Sequence, residues 1–167
     1  MMHGAGERGS DNKRQLYWVS SQLFTYMRHQ HEVRKAWPPY QTKEAEFFFL
    51  AGQVPKGQQW VDTPWGDRAH TMNPVPSESM GLQIDLIEKL FAKYPQIDRR
   101  RVYVMGLSMG GYGTWDLIAR RPEWFAAAIP MCGGGDVTTA PRIKDIGIWA
   151  FHGAWDDAVP VCRSRNM

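Results

Sequence analysis

The run Gly106-Leu107-Ser108-Met109-Gly110 sets a serine hydroxyl between two glycines. Serine is a weak nucleophile unless a base takes its proton and a third group orients that base. It also needs backbone N–H groups aimed at the charge that develops during attack. The flanking residues suit that chemistry. Arg101 to Met105 reads as a strand and Met109 to Arg120 as a helix closed by Pro122. A serine at such a strand-to-helix turn is lifted above the sheet. Gly106 and Gly110 remove side chains that would collide across the turn, and Gly111 and Gly113 let the helix lie close to the strands. The helix N-terminus points free N–H groups at the site, and that of Met109 is placed to hold an oxyanion. The five-residue pattern alone arises by chance in roughly one chain of this length in twenty. The competing reading is therefore a Gly-rich turn before a buried helix.

Asp156 follows another predicted strand, so Ser108 and Asp156 meet on one edge of a sheet. There are five histidines. His29 and His31 fall in a polar first helix and are read as solvated. His70 lies in a long loop that leaves the carboxyl end of one strand and could fold over the site, which makes it the best candidate for a substitute base. The spacing of the histidines suggests no zinc site, and no metal or other cofactor is implied. Cys132 and Cys162 are too few for a disulfide scaffold; two free thiols are the default, and a single bridge stays open.

The chain has 167 residues, which suits one domain with a real core. Its hydrophobic fraction of 43%, charged fraction of 22% and net charge of +3 are those of an ordinary globular chain. Nucleic-acid binding would need a clustered basic face. The one dense basic run, Arg99-Arg100-Arg101, reads as a solvated loop at the start of a strand. No apolar stretch reaches the length of a membrane span, and Met1 to Gly6 lacks the features of a signal peptide.

The elements that would position these groups alternate. Leu16, Val19, Leu23 and Met27 recur at helical spacing, and Trp37-Pro38-Pro39-Tyr40 ends that helix. Phe47 to Ala51 suits a strand buried on both faces. A loop from Gly52 to Pro76 follows, with four prolines and two tryptophans. Ser77 can cap a helix running to Lys93, with Leu82, Leu86, Ile87, Leu90 and Phe91 as its apolar stripe. Ala126 to Met131 and Ile146 to Phe151 complete the strands, separated by the Gly133-Gly134-Gly135 loop. The alternation predicts an α/β fold, a mostly parallel sheet with helices on both faces. Ligands of such sheets bind at the carboxyl ends of the strands.

Four segments taken together resemble the α/β-hydrolase superfamily. They are His3-Gly4-Ala5-Gly6-Glu7-Arg8-Gly9 with Asp11-Asn12; Pro55-Lys56-Gly57 through Trp60 with His70-Thr71-Met72; Val104 through Trp115; and Phe151-His152-Gly153-Ala154-Trp155-Asp156 through Val159-Pro160-Val161. The chain looks most like esterases related to the prolyl-oligopeptidase and phospholipase/carboxylesterase groups, near feruloyl and acetyl esterases. The likeness is weakest between Leu16 and Glu46.

The resemblance implies a serine esterase that cleaves carboxylic esters through an acyl-enzyme. Ser108 would be the nucleophile in its elbow and Asp156 the triad acid, with Asp157 as the one-residue alternative. The N–H groups of Ala5 and Met109 would form the oxyanion hole. His3 and His152 match positions that shape loops. The substrate would be a small-molecule ester, with no nucleic acid and no membrane as partner. Trp60, Trp65 and Trp155 could offer an aromatic face to it, or simply be core. The family's histidine lies beyond the acid, and its strand before the His-Gly loop is longer than Met1-Met2. The chain thus corresponds to the middle of such an enzyme, a single partial domain over 1–167. A non-catalytic remnant, and a peptidase or thioesterase with the same machinery, are the rival readings. An edge left open beside the Ser108 strand would favour homo-oligomers.

Overall fold

The computed structural model of the chain describes residues 1–16 and 48–167. The predicted first helix and its Trp37–Tyr40 stop lie almost wholly outside them, as do His29 and His31. Of that stretch only a 3-10 turn, Arg14–Leu16, is described.

Three parallel strands form the sheet in the order β1-β2-β3: β1, Tyr103–Leu107; β2, Ala127–Met131; and β3, Gly147–Ile148. The last strand is shorter than the predicted 146–151, but a parallel bridge between Met131 and Phe151 carries the pairing on. β1 starts two residues later than its sequence suggests, because Asp98 caps a 3-10 turn over Arg99–Arg101. That turn is exposed, and Arg100 pairs with Asp98 at 3.1 Å.

Helix α1, Glu78–Lys93, begins where predicted. The Ser77 hydroxyl oxygen accepts the Met80 N–H at 3.1 Å, and the hydroxyl donates to the Trp60 carbonyl at 2.7 Å. Its buried face follows the predicted stripe only in part: Ile87 is buried and Phe91 packs on the core, but Leu86 is exposed. Met80, Gln83, Ile84 and Ile87 point inward, while Leu82 is 59% exposed. The helix start fixes this rotation: Ser77 is tied to the Trp60 carbonyl and Ser79 to the Gln58 side chain at 2.7 Å. Helix α2, Met109–Arg120, packs on β1 and β2, and α1 lies against α2. Every residue of α2 from Met109 to Ala119 is buried. A short helix α3, Cys162–Arg165, follows the last loop.

Residues 48–51 carry no strand, contrary to the sequence expectation. Phe48 is 55% exposed, so the run is not buried on both faces. The place beside β1 is filled from the N-terminus instead. The Met2 N–H donates to the Met105 carbonyl at 2.8 Å, and the Leu107 N–H donates to the Met2 carbonyl at 3.3 Å. The Leu50 carbonyl accepts from the Met1 amino group. Met2 itself is core, with Trp60, Met80, Val104, Tyr112, Leu117 and Ile118.

Candidate functional site

β1 is apolar and ends at Leu107, and α2 begins at Met109, so Ser108 alone makes the turn. Its backbone has φ 56° and ψ −116°, a region that residues with a side chain rarely enter. The Ser108 N–H donates to the Met131 carbonyl at 2.8 Å, which ties the turn to the end of β2. The glycines permit it by absence. A Cβ on Gly106 would collide with the Gly110 carbonyl, and one on Gly110 with the Met2 and His3 carbonyls. Ser108 is partly exposed, and its hydroxyl makes no hydrogen bond with any described residue.

The His3-Gly4-Ala5 loop lies against this turn. A carbon placed on Gly4 would sit 3.9 Å from Ser108 Cβ. His3 holds the loop: it is buried, Nδ1 donates to the Gly4 carbonyl at 2.6 Å, and Nε2 accepts the Val54 N–H at 2.9 Å. That arrangement fixes one neutral tautomer. Burial lowers the proton affinity of the ring, against smaller opposing contributions from the Gly4 carbonyl and Glu7. Trp60 donates its indole N–H to the His3 carbonyl at 3.1 Å and is 2% exposed. Trp60 is therefore core and offers no aromatic face to a ligand. The N–H groups of Ala5 and Met109 are engaged with no described residue.

Asp156 stands past the third strand end, which the Cys132 N–H ties to the Phe151 carbonyl at 2.8 Å. One carboxylate oxygen of Asp156 accepts the N–H groups of Ala158 and Val159 at 3.0 and 2.9 Å. Burial pushes this carboxyl up, but those two N–H groups, the Cys132 thiol and the nearby His152 together hold it below its ordinary value. Asp157 is exposed and makes no such bonds. Cys132 was unremarkable in the sequence except as a thiol. It has a positive φ of 49°, and burial raises its thiol. Both cysteines are free.

None of the described histidines hydrogen-bonds to Ser108. His152 bonds the Val159 carbonyl at 2.9 Å and Ser164 Oγ at 2.6 Å, with Asp156 3.7 Å away. His70 packs on the Tyr112 ring at 5.9 Å, and its buried Nδ1 has no partner. Burial, then the Arg163 charge, lowers the His70 pKa. The structure brings Ser108, Met109, Ala5 and Gly4 together, and sets Asp156 on the same strand edge. It makes no hydrogen bond or ion pair between His70 and either Ser108 or Asp156. Among the described residues no group of acidic, histidine and cysteine side chains converges as a metal site.

Parallel strands ending at a left-handed serine turn, with helices packed on them, define a partial α/β-hydrolase fold. The prolyl oligopeptidase family matches residues 56–164, and the chain belongs to it. A crystal structure of a thermostable esterase is similar over 99% of the chain, at 42% identity and a TM-score of 0.75. The chain spans 40% of that esterase's length. No curated protein matches it. The protein is thus of a hydrolase family with an esterase as a structural relative.

Proposed function

We propose that the protein is a serine hydrolase that cleaves carboxylic esters of small molecules through an acyl-enzyme on Ser108. The observation that carries this reading is the Ser108 backbone at φ 56°, which presents an unbonded hydroxyl next to the unengaged Met109 N–H, with the Gly4-Ala5 loop against the turn. In the proposed reaction Ser108 Oγ bonds to the acyl carbon and its proton passes to a base. The carbonyl oxygen becomes an oxyanion held by the Ala5 and Met109 N–H groups. The tetrahedral species then expels the alcohol, which takes the proton, and water hydrolyses the acyl group by the reverse sequence. Asp156 is the acid that orients the base. The structural likeness to a thermostable esterase favours esters over peptides.

His70 is the candidate base within this chain, because the other described histidines have both ring nitrogens engaged. The absence of a histidine against Ser108 among the described residues favours a second reading, acylation without efficient turnover. Hydrolysis of p-nitrophenyl acetate distinguishes the two. Steady release lost in Ser108→Ala and strongly reduced in His70→Ala supports the esterase. A single stoichiometric burst supports acylation alone. No release above that of Ser108→Ala defeats both.

A further inference from the structure

Arg163 is 2% exposed, yet it forms no ion pair with a carboxylate among the described residues. Its Nε donates to the Tyr112 hydroxyl at 3.1 Å, and its guanidinium lies 4.9 Å from the Tyr112 ring centre. Nη1 and Nη2 are buried and have no hydrogen-bond partner among the described residues. A guanidinium carries five N–H donors, so most of them are unsatisfied. Burying such a charge unpaired is costly, and buried arginines are normally matched by an anion. The ring contact to Tyr112 offsets only part of that cost.

Three further features converge on the same place. The Tyr112 hydroxyl donates to the Trp65 carbonyl at 2.8 Å, and the Trp65 indole N–H is buried without an acceptor. His70 also packs on the Tyr112 ring, with Nδ1 buried and without a hydrogen-bond partner among the described residues. The Gly133–Gly135 run, which the Ser108 chemistry does not use, lets Arg163 pack against backbone: a carbon on Gly134 would sit 2.7 Å from Arg163 Cβ and 3.1 Å from its Nε. The acid nearest to His70 is already engaged. Asp136 accepts the Met72 N–H at 2.8 Å and both the N–H and hydroxyl of Thr138.

We infer that Arg163, with Trp65 and His70, forms a binding site for a carboxylate-bearing small molecule. The two unpaired guanidinium nitrogens would take the carboxylate in a forked pair of charge-assisted bonds, and the Trp65 N–H would add a third donor. Residues 66–69 of the loop between Trp65 and His70 are exposed, and a ligand would reach the buried guanidinium by displacing them. The site shares His70 with the proposed reaction, but the binding it predicts does not depend on the reactivity of Ser108.

Thermal unfolding and calorimetry with succinate test the inference, with sodium chloride at equal ionic strength as control. Succinate should raise the melting temperature saturably, and chloride should not. Arg163→Gln should weaken succinate binding on the order of tenfold or more. Arg163→Lys keeps the charge without the fork and should fall between. Tyr112→Phe, which releases Nε but leaves the guanidinium, should bind succinate within about threefold of the parent; it serves if the Arg163 variants do not fold. A parent that gains nothing from succinate, or an equal gain in Arg163→Gln, overturns the site.

Discussion

The two ends of the site are built to different standards. On the Ser108 side, α2 is buried along nearly its whole length, and Met2, His3 and Trp60 pack against its glycines. On the Asp156 side, β3 is two residues long and the following residues lie largely in solvent, with Trp149 68% and Trp155 96% exposed. There the carboxylate is held mainly by N–H groups of its own loop. The contrast follows from what each position must resist. Ser108 occupies a backbone conformation that costs about 1–3 kcal/mol and survives only where packing over-determines it. Asp156 sits in a turn that aspartate forms readily with its neighbours' N–H groups.

The contrast is broken most severely at Gly110. Gly110→Ala drives a methyl into the Met2 and His3 carbonyls, and we expect a loss of roughly 3 kcal/mol or more in chemical denaturation. A change under about 0.5 kcal/mol would mean that the Ser108 side is no tighter than the other. At Ser108 itself, glycine relieves the backbone and alanine does not. Ser108→Gly should be about 1 kcal/mol more stable than Ser108→Ala, after allowing for the greater freedom of glycine in the unfolded chain. Equal stabilities would remove the argument from strain.

The two sides should also fail at different pH. The His3 and His70 pKa values lie below the ordinary 6.5, chiefly through burial. The unfolded chain therefore binds protons that the folded chain refuses. Their contribution is fully present above 6.5 and is lost as pH falls through the lowered values. The Met1 amino group, lowered from 8.0 to about 6 by burial, acts with the same sign as pH falls from 8. The Asp156 carboxyl lies below 3.8, so its contribution is present above that value and lost only as pH falls further. Denaturation midpoints from pH 8 to 3 should show two declines, the upper one blunted in His3→Gln and the lower one in Asp156→Asn. The smallest effect is expected at Trp155. Trp155→Ala should change stability by less than about 0.5 kcal/mol, because the ring contacts water almost entirely.

Much of the Ser108 side was legible in sequence. Local chemistry dictates a strand, a turn between glycines and a helix ending before Pro122, and α2 has the predicted ends. Ser77 likewise announces α1. What the pattern misplaced was set by distant contacts. Ile87 and Phe91 of the predicted α1 stripe face the core, yet serine bonds to the long loop turn Met80 and Ile84 inward in place of Leu82 and Leu86. Phe48 to Ala51 has strand composition, but Met2 holds the place beside β1. Trp60 resembles a surface aromatic only until His3 is folded against it. The burial of Arg163 had no sequence signal, since its neighbours Tyr112, Gly134 and His70 come from three separate segments.

The central claim is that the left-handed turn makes Ser108 a nucleophile. Incubation with a fluorophosphonate followed by peptide mapping tests it most directly, because the reagent reports the activated hydroxyl without needing turnover. The account predicts one phosphonate per chain, on Ser108, absent in Ser108→Ala and slowed in Asp156→Asn. A label on another residue, or none after prolonged exposure of folded protein, would contradict it.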